Sequence, residues 1–313
     1  MINLTKIGIG TTHGKVILMG EHSVVYGQPA ITIPLLTLPT VAKVIKTNED
    51  QSYIDSGYYK GPLEEAPKDL QGIKNLIELL IKDLPISSNI IVQIESSLPI
   101  ERGMGSSAAT GAAITKAMFS FVKEKLDRDT LFHYTNFSEK IIHGTPSGVD
   151  AATVISKKPI YFIKNRLIKS FHTNINGYLI IIDSGVKGNT GEAVHDLRIL
   201  KNEHPNYVNT RIKKLGNLTN KSKATLKDNE LNKLGKIFNH AQKILRELKI
   251  SNQTIDELVS TANTAGSLGT KITGGGRGGC IIALADSFEK ANKIAEIAKN
   301  KQAENVWIQP LNI

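Results

Sequence analysis

The sequence predicts an α+β protein of two domains, and three observations carry that expectation. The 313 residues amount to two domains at roughly 150 residues each. Strand-like segments occur early and late in both halves, which argues against regular βαβ repeats. The chain also changes character after Gly185, from mixed apolar segments to a polar, Lys-rich, helix-like stretch. The boundary is expected between residues 175 and 190, giving domains at 1–180 and 181–313. With 40% hydrophobic and 22% charged residues, the chain can pack a core and is not wholly disordered.

The elements follow in order. The opening segment, KIGIGTTHGKVILMGEHSVVYG, reads as two strand-like stretches, Ile7 to Thr11 and Val16 to Met19, around a turn at Gly14. Ile91 to Pro99 is strand-like, with Val92 and Ile94 on one face. GMGSSAATGAAITKAMFSFVKEKL turns from glycine and serine to alanine, the pattern of a loop feeding a helix. Leu131 to Ile142 is a second helix, ended by Gly144 and Pro146. Tyr178 to Gly185 is a buried strand with a polar end. Glu192 to Leu248 is mostly helical, and residues 254 to 268 form one more helix. KITGGGRGGCIIALA is a glycine loop entering a strand. A helix at Ser287 to Ala298 and a last strand in NVWIQPL complete the chain.

Composition narrows the function classes. No run of 18 apolar residues occurs, so no membrane span is expected. Met1 to Gly20 lacks the apolar stretch and cleavage site of a signal peptide. The lone Cys280 excludes an internal disulfide and a cysteine-rich metal cluster. An intracellular, cytoplasmic protein is the expectation. The net charge of +10 is concentrated in residues 201–250, which carry 12 basic and 4 acidic residues. That block could serve as a nucleic-acid module or attract anionic metabolites. Only 7 of the 39 basic residues are Arg, and the block's aromatics are Tyr207 and Phe238 alone. Base recognition and stacking recruit Arg and aromatics, so a solvated lysine face is expected and nucleic acid is not.

Three glycine-rich segments stand out: Gly14 to Gly27, Gly103 to Gly111 and Gly274 to Gly279. In the middle one, Gly103 and Gly105 precede Ser106 and Ser107. Glycine lets backbone N–H groups approach an anion, and a helix start adds free N–H groups and a positive dipole end. A phosphate cradle and a plain N-cap serine are both open on this pattern. It is not a Walker A motif: Gly10 to Lys15 is one residue short, and Val16 stands where Ser or Thr is required. The third segment has GxGxxG spacing, but CIIALA reads as strand where that fingerprint requires a helix. Arg277 there could meet a phosphate or point to solvent. Lys15, Glu21 and His22 fall where strand meets loop. Asp150 follows a turn, where a carboxylate near a lysine could orient or deprotonate an alcohol. Glu139 lies near a helix end. Each of these, and His143, could equally be structural. Neither a zinc-spaced His pair nor a GxSxG elbow occurs, and Cys280 opens an apolar strand as a core residue would.

GKVILMGEHSVVYGQPA at 14–30, PIERGMGSSAA at 99–109, IIHGTPSGVDAATV at 141–154 and KITGGGRGGC at 271–280 occur in this order. Together they resemble the motifs of the small-molecule kinase superfamily of galactokinase, homoserine kinase, mevalonate kinase and phosphomevalonate kinase. The first and third of these four are most similar to the mevalonate kinase family. The resemblance implies an N-terminal ribosomal-protein-S5-like domain and a C-terminal ferredoxin-like domain. It implies a cytoplasmic enzyme that phosphorylates the 5-hydroxyl of mevalonate with ATP as co-substrate and Mg2+ as cofactor. Phosphomevalonate kinase, or another kinase of the superfamily, is the alternative. Its small-molecule partners would be mevalonate and ATP, with neither nucleic acid nor membrane, and a homodimer is left open. Carried over by motif, Asp150 and Lys15 are catalytic. Gly103, Gly105, Ser106, Ser107 and Ala108 bind ATP. Glu21, His22, Thr273 and Gly274 lie toward the substrate, and Ser107 and Glu139 are the metal ligands. Three positions depart from the pattern: His13 where proline is common, Thr145 where Asn-Pro is common, and Arg277 where glycine is frequent.

Overall fold

The computed structural model describes residues 6–99, 102–144, 146–188, 190–301 and 303–313. Thr145 therefore lies outside the described residues. The chain forms two compact units, each assembled from separated stretches. The first takes the chain up to Lys15 with Pro34–Pro99 and Gly105–Ser156. The second takes Val16–Ile33, Ile100–Met104 and Lys157–Ile313.

The first half of the chain forms β1 (Ile7–Met19), β2 (Ala30–Lys46), β3 (Tyr53–Ser56), β4 (Lys60–Pro62), α1 (Gln71–Asp83), β5 (Ile90–Ser96), α2 (Ser106–Val122), α3 (Arg128–His143) and α4 (Val149–Val154). The turn expected at Gly14 does not form, because β1 runs unbroken for 13 residues. Gly14 is not among the residues with positive φ, so nothing reverses the chain there. The glycines of β1 serve close approach instead. A Cβ at Gly8 or Gly10 would stand 2.1 Å from the carbonyl oxygen of Ala117 or Ala113, so the strand lies directly on α2. The alanines on that side of α2 make the same approach possible. Ala108, Ala109, Ala112, Ala113 and Ala117 are all buried.

β2 is unexpected from the sequence, since Pro34 and Pro39 argue against a central strand. The pairing explains them. β2 pairs β6 (Ile160–Ile163) over Ala30–Thr32 and β5 over Thr40–Lys46. β2 also pairs β1. Both prolines fall between the β6 and β5 ladders, so neither of those two strands needs their missing N–H. β3 runs parallel to β5 and antiparallel to β4. The core of the first unit joins Val44, Ile54 and Val92 of the strands to Leu76 and Leu80 of α1 and Met118 of α2.

The second half forms β6, β7 (Leu167–Ser170), β8 (Tyr178–Asp183), α5 (Thr190–Glu203), α6 (Pro205–Lys227), α7 (Leu231–Glu247), α8 (Gln253–Thr264), β9 (Thr270–Thr273), β10 (Cys280–Ala285), α9 (Phe288–Lys301) and β11 (Asn305–Pro310). The strand order is β11-β8-β10-β9, and every pairing is antiparallel. Counted within this sheet, the order is fourth, first, third, second, with helices after the first and third strands. That is the expected ferredoxin-like arrangement. β8 is a central strand, which is why YLIIID is a continuous apolar run rather than an alternating one.

The basic block becomes α6 and α7. α7 buries Leu231, Leu234, Phe238 and Leu245 on one face, leaving its lysines to the other. Arg211 stacks 3.4 Å over the ring of Tyr207 and pairs with Glu247 at 2.8 Å, while the block's other arginine, Arg246, pairs with Asp256 at 3.1 Å. Among the described residues, no helix is long and apolar enough to cross a membrane.

The seating of β1 on α2 makes a direct prediction. Gly10→Ala forces a Cβ into main-chain atoms that cannot rotate away, and should cost about 1–3 kcal/mol or more. Gly57→Ala, with nothing within 4 Å of the added carbon, should leave stability within about 0.5 kcal/mol. Denaturant titration of both variants checks this, and equal stability would contradict the close approach.

Candidate active site

In the first unit, four of the expected residues come together. Lys15 is a buried lysine inside β1, not at its end. Its Nζ lies 2.9 Å from Oδ1 of Asp150. Asp150 stands in the first turn of α4, after Gly148, whose φ of 78° admits the tight entry. Thr12 Oγ1 donates to the carbonyl of Val154 at 2.6 Å and ties β1 to the same helix. Gly105 explains how the lysine reaches its partner. A Cβ there would meet Lys15 Cγ at 2.8 Å and Cε at 3.2 Å, so only glycine leaves room for the side chain.

Gly105 is also the N-cap of α2, with φ 73° and no side-chain cap. Of the two readings open from sequence, the serine N-cap is not what forms. Ser106 and Ser107 occupy the first turn, and the helix start keeps its N–H groups available for an anion. Glu139, on the last turns of α3, is 2% exposed. Its Oε1 has no hydrogen-bond partner, and Oε2 lies 3.8 Å from His143 Nε2. Burial pushes its carboxyl above the usual range. Ser107 opposes that shift, Asp150 adds to it, and His143 and Lys15 oppose it. Lys15, Ser107, Glu139 and Asp150 therefore form one electrostatic neighbourhood.

In the second unit, Glu21 and Lys271 form an ion pair that is almost completely enclosed, at 2% and 0% exposure. Burial lowers the lysine's pKa, and the charge of Glu21 works against that. His22 has φ 56°, a left-handed conformation that costs a bulky residue of order 1–3 kcal/mol. Its ring nitrogen Nε2 is 2.8 Å from the carbonyl of Gly275. A carbonyl only accepts, so Nε2 carries the hydrogen and Nδ1 is left as an acceptor. Nδ1 is buried and has no partner.

Thr273 is spent on structure. Its hydroxyl donates to the Ile17 carbonyl at 2.8 Å and accepts the Ile17 N–H at 3.1 Å, pinning β9 to β1. Gly274 and Gly103 face each other, a Cβ on either falling 4.0 Å from the other's Cα. Arg277 does not simply point to solvent. Its Nη1 holds Asp196 at 2.6 Å and its Nε donates to the Lys249 carbonyl at 3.1 Å. Cys280 is buried, and its thiol pKa is pushed far up by burial, so it is a core residue.

Comparison with known proteins is decisive at this point. Residues 71–158 match the GHMP kinases N terminal domain, and residues 222–305 match the GHMP kinases C terminal family. The mevalonate kinase of Thermococcus onnurineus is 31% identical over 92% of this chain and 91% of its own length. The chain belongs to the GHMP kinase family. The mevalonate kinase of Pyrococcus abyssi is 27% identical over the same shares of the two chains. Among solved structures, mevalonate kinase from methicillin-resistant Staphylococcus aureus superposes with a TM-score of 0.80 at 29% identity, covering 98% of this chain and 100% of that one. Mevalonate kinase of L. major in complex with R-mevalonate gives a TM-score of 0.86 at 24% identity, over 98% of this chain and 96% of that one, which speaks to the fold.

This GHMP kinase uses charged residues that sequence reasoning did not single out. Lys271 sits in a strand whose four residues are all buried, and Asp183 ends the apolar run of β8. A lone charge inside an apolar strand was the available signal in both cases. Arg102 lies in the second motif without matching any assigned role. The residues also suit a hard cation. Glu139 offers an unpartnered carboxylate oxygen beside the Ser107 hydroxyl. Among the described residues no group of three His, Cys, Asp or Glu side chains could hold a metal. Magnesium fits that set, since it is commonly held by one or two carboxylates plus substrate phosphates.

His22 carries a pH prediction. Burial holds its pKa below the ordinary 6.5, the Arg277 charge lowers it further, and only the Gly275 carbonyl opposes. Below pH 6.5 the unfolded chain takes a proton at this site that the fold refuses. Stability present above that pH is therefore lost as pH falls toward the folded pKa, at up to about 1.4 kcal/mol per pH unit. His22→Asn, which tolerates positive φ, should melt with a flatter pH dependence between 7.5 and 5.5 than wild type. Parallel curves would show that His22 titrates normally in the fold.

Proposed function

We propose that the protein transfers the γ-phosphoryl group of ATP to the 5-hydroxyl of mevalonate. The observation that carries the reading is the Lys15–Asp150 pair beside the uncapped start of α2, in a chain whose curated relatives are mevalonate kinases. A phosphate cradle and a carboxylate–ammonium pair are the two things alcohol phosphorylation requires of a protein.

In this mechanism the backbone N–H groups of Gly105, Ser106, Ser107 and Ala108 hold the ATP phosphates at the helix start, with Gly103 leading the loop in. Asp150 accepts a hydrogen bond from the mevalonate 5-hydroxyl and orients its oxygen toward the γ-phosphorus. The new bond joins that oxygen to the phosphorus, and the bond to the departing ADP oxygen breaks. The hydroxyl proton leaves along the hydrogen bond to Asp150. Lys15 faces the same oxygen and stabilises its developing negative charge. Glu139 and Ser107 hold Mg2+. When bound, the ion supplies neutralisation of the phosphate charge. Glu21, His22 and Gly274 are assigned to the mevalonate side. Thr273 serves that side through the β1–β9 staple, its hydroxyl being occupied. The protein acts in the cytoplasm on these small molecules and not on nucleic acid.

A substrate panel tests the reading. With Mg-ATP, ADP release is expected for mevalonate and not for phosphomevalonate, galactose or homoserine. Turnover of one of the others in its place would overturn it. Asp150→Asn should leave the fold and ATP affinity intact and lower turnover at least roughly 100-fold, the scale of a lost general-base or positioning group. Lys15→Met should lower it as well. Because both act on one oxygen and one proton, the double variant should lose less than the product of the single losses. Strict multiplicativity would separate the two roles, and near-normal turnover in Asp150→Asn would remove the assignment.

A further inference from the structure

Arg102 lies in the second motif, and no role in the mechanism falls to it. Its segment packs on the third glycine loop inside the second unit. A Cβ on Gly103 would be 4.0 Å from the Gly274 Cα, and one on Gly279 would be 3.4 Å from the Arg102 carbonyl oxygen. The guanidinium reaches the end of the β8 strand. Nε donates to Asp183 Oδ2 at 3.2 Å and lies 2.9 Å from Oδ1. Nη2 donates to the Gly185 carbonyl at 3.1 Å and reaches Glu304 Oε2 at 3.4 Å. Asp183 is 1% exposed, and its Oδ1 also accepts the Gly185 N–H at 3.0 Å. Two residues after Arg102, Met104 Sδ lies 3.8 Å from Cys280 Sγ.

We propose that Arg102 and Asp183 form a clasp that positions the ATP-phosphate loop, so that Arg102 is a positioning residue and not a phosphate ligand. The proposal rests on the kinase reading above and adds a determinant of nucleotide affinity to it. Gly103 and Gly105, at φ 74° and 73°, give the loop the backbone it needs, but glycine is also the residue with most alternatives to that conformation. N–H groups bind an anion well only when already aimed at it. On its C-terminal side the loop continues into α2, which fixes it. On its N-terminal side Arg102 supplies the anchor. The charge of Arg102 faces two carboxylates, Asp183 and Glu304, which leaves it little attraction for phosphate. A buried ion pair is a poor source of stability compared with apolar packing. What a planar guanidinium fork adds is direction.

The test is ATP affinity, measured by calorimetric titration of the full-length protein without turnover. The variants are Arg102→Lys, Asp183→Asn and the double variant Arg102→Met with Asp183→Leu, and mevalonate KM is measured alongside. The clasp predicts that both single variants weaken ATP binding by about tenfold or more. Asp183→Asn should do so although Arg102 is intact. The double variant should be no weaker than the worse single variant, and mevalonate KM should stay within about twofold. If a single variant does not fold, the double variant decides, because it leaves no unpaired buried charge. A folded double variant with wild-type ATP affinity overturns the clasp. So does Asp183→Asn with unchanged affinity when Arg102→Lys loses it, which would make Arg102 a direct phosphate ligand. Multiplying losses overturn it too. Absence of ATP binding by the wild-type protein would instead overturn the kinase reading itself.

Discussion

A cation taken out of water must find a carboxylate at once, and much of this molecule is arranged around that requirement. Lys15, Lys271 and Arg102 each meet one, in Asp150, Glu21 and Asp183. Removing one partner of a buried pair typically costs about 3–5 kcal/mol, while replacing both with apolar groups is often neutral or better. Such pairs are therefore a poor way to make a fold stable. All three involve a glycine-rich signature segment, which is where directed charge has chemistry to do. Glu139 is the contrasting case. It is more deeply buried than Asp150 or Arg102, yet one of its oxygens has no partner. Its burial raises the cost of its own charge, which a cation bound there would offset.

Glycine supplies the space that makes these placements possible, for a different reason at each position. Gly10 lets β1 touch the backbone of α2. Gly105 does two jobs in one residue. It leaves room for the Lys15 side chain and, through its positive φ, starts α2 without a side-chain cap. An ordinary N-cap serine would satisfy the first N–H groups and stabilise the helix by about 1 kcal/mol. Leaving them unsatisfied has its use in anion binding.

Much of the architecture was legible from periodicity and punctuation. The alanine run of α2, the Gly144 stop of α3, the buried run of β8 and the glycine loop before β10 all form as the sequence suggests. What escaped was set by partners far along the chain. Gly14 reads as a turn locally, but β1 continues through it. Pro34 and Pro39 disguise β2, and only the placement of the β5 and β6 ladders on either side of them shows how the strand accommodates them. The neighbourhood of Lys15, Ser107, Glu139 and Asp150 joins residues up to 135 positions apart, a convergence that spacing cannot reveal. Lys271 and Asp183 were hidden for a related reason: each needs a partner about 80 or more positions away in the chain before its burial makes sense.

Arg277 shows how a departure from the family pattern can be absorbed. Its φ of 55° explains why glycine is frequent at such a position, since a side chain there carries backbone strain of order 1 kcal/mol or more. The arginine offsets the strain with what glycine lacks. Its side chain holds Asp196 on α5 and the Lys249 carbonyl after α7, while its own N–H bonds the Ile250 carbonyl at 3.0 Å. A loop that glycine would leave free to flex is fastened at one point to two helical segments. Its neighbour Gly275 fits against Thr190, where a Cβ would fall 2.0 Å from the threonine hydroxyl, and presents its carbonyl to His22. The charge of Arg277 also helps keep His22 neutral. Arg277 thus exchanges conformational freedom for position, beside a histidine whose buried Nδ1 has no partner.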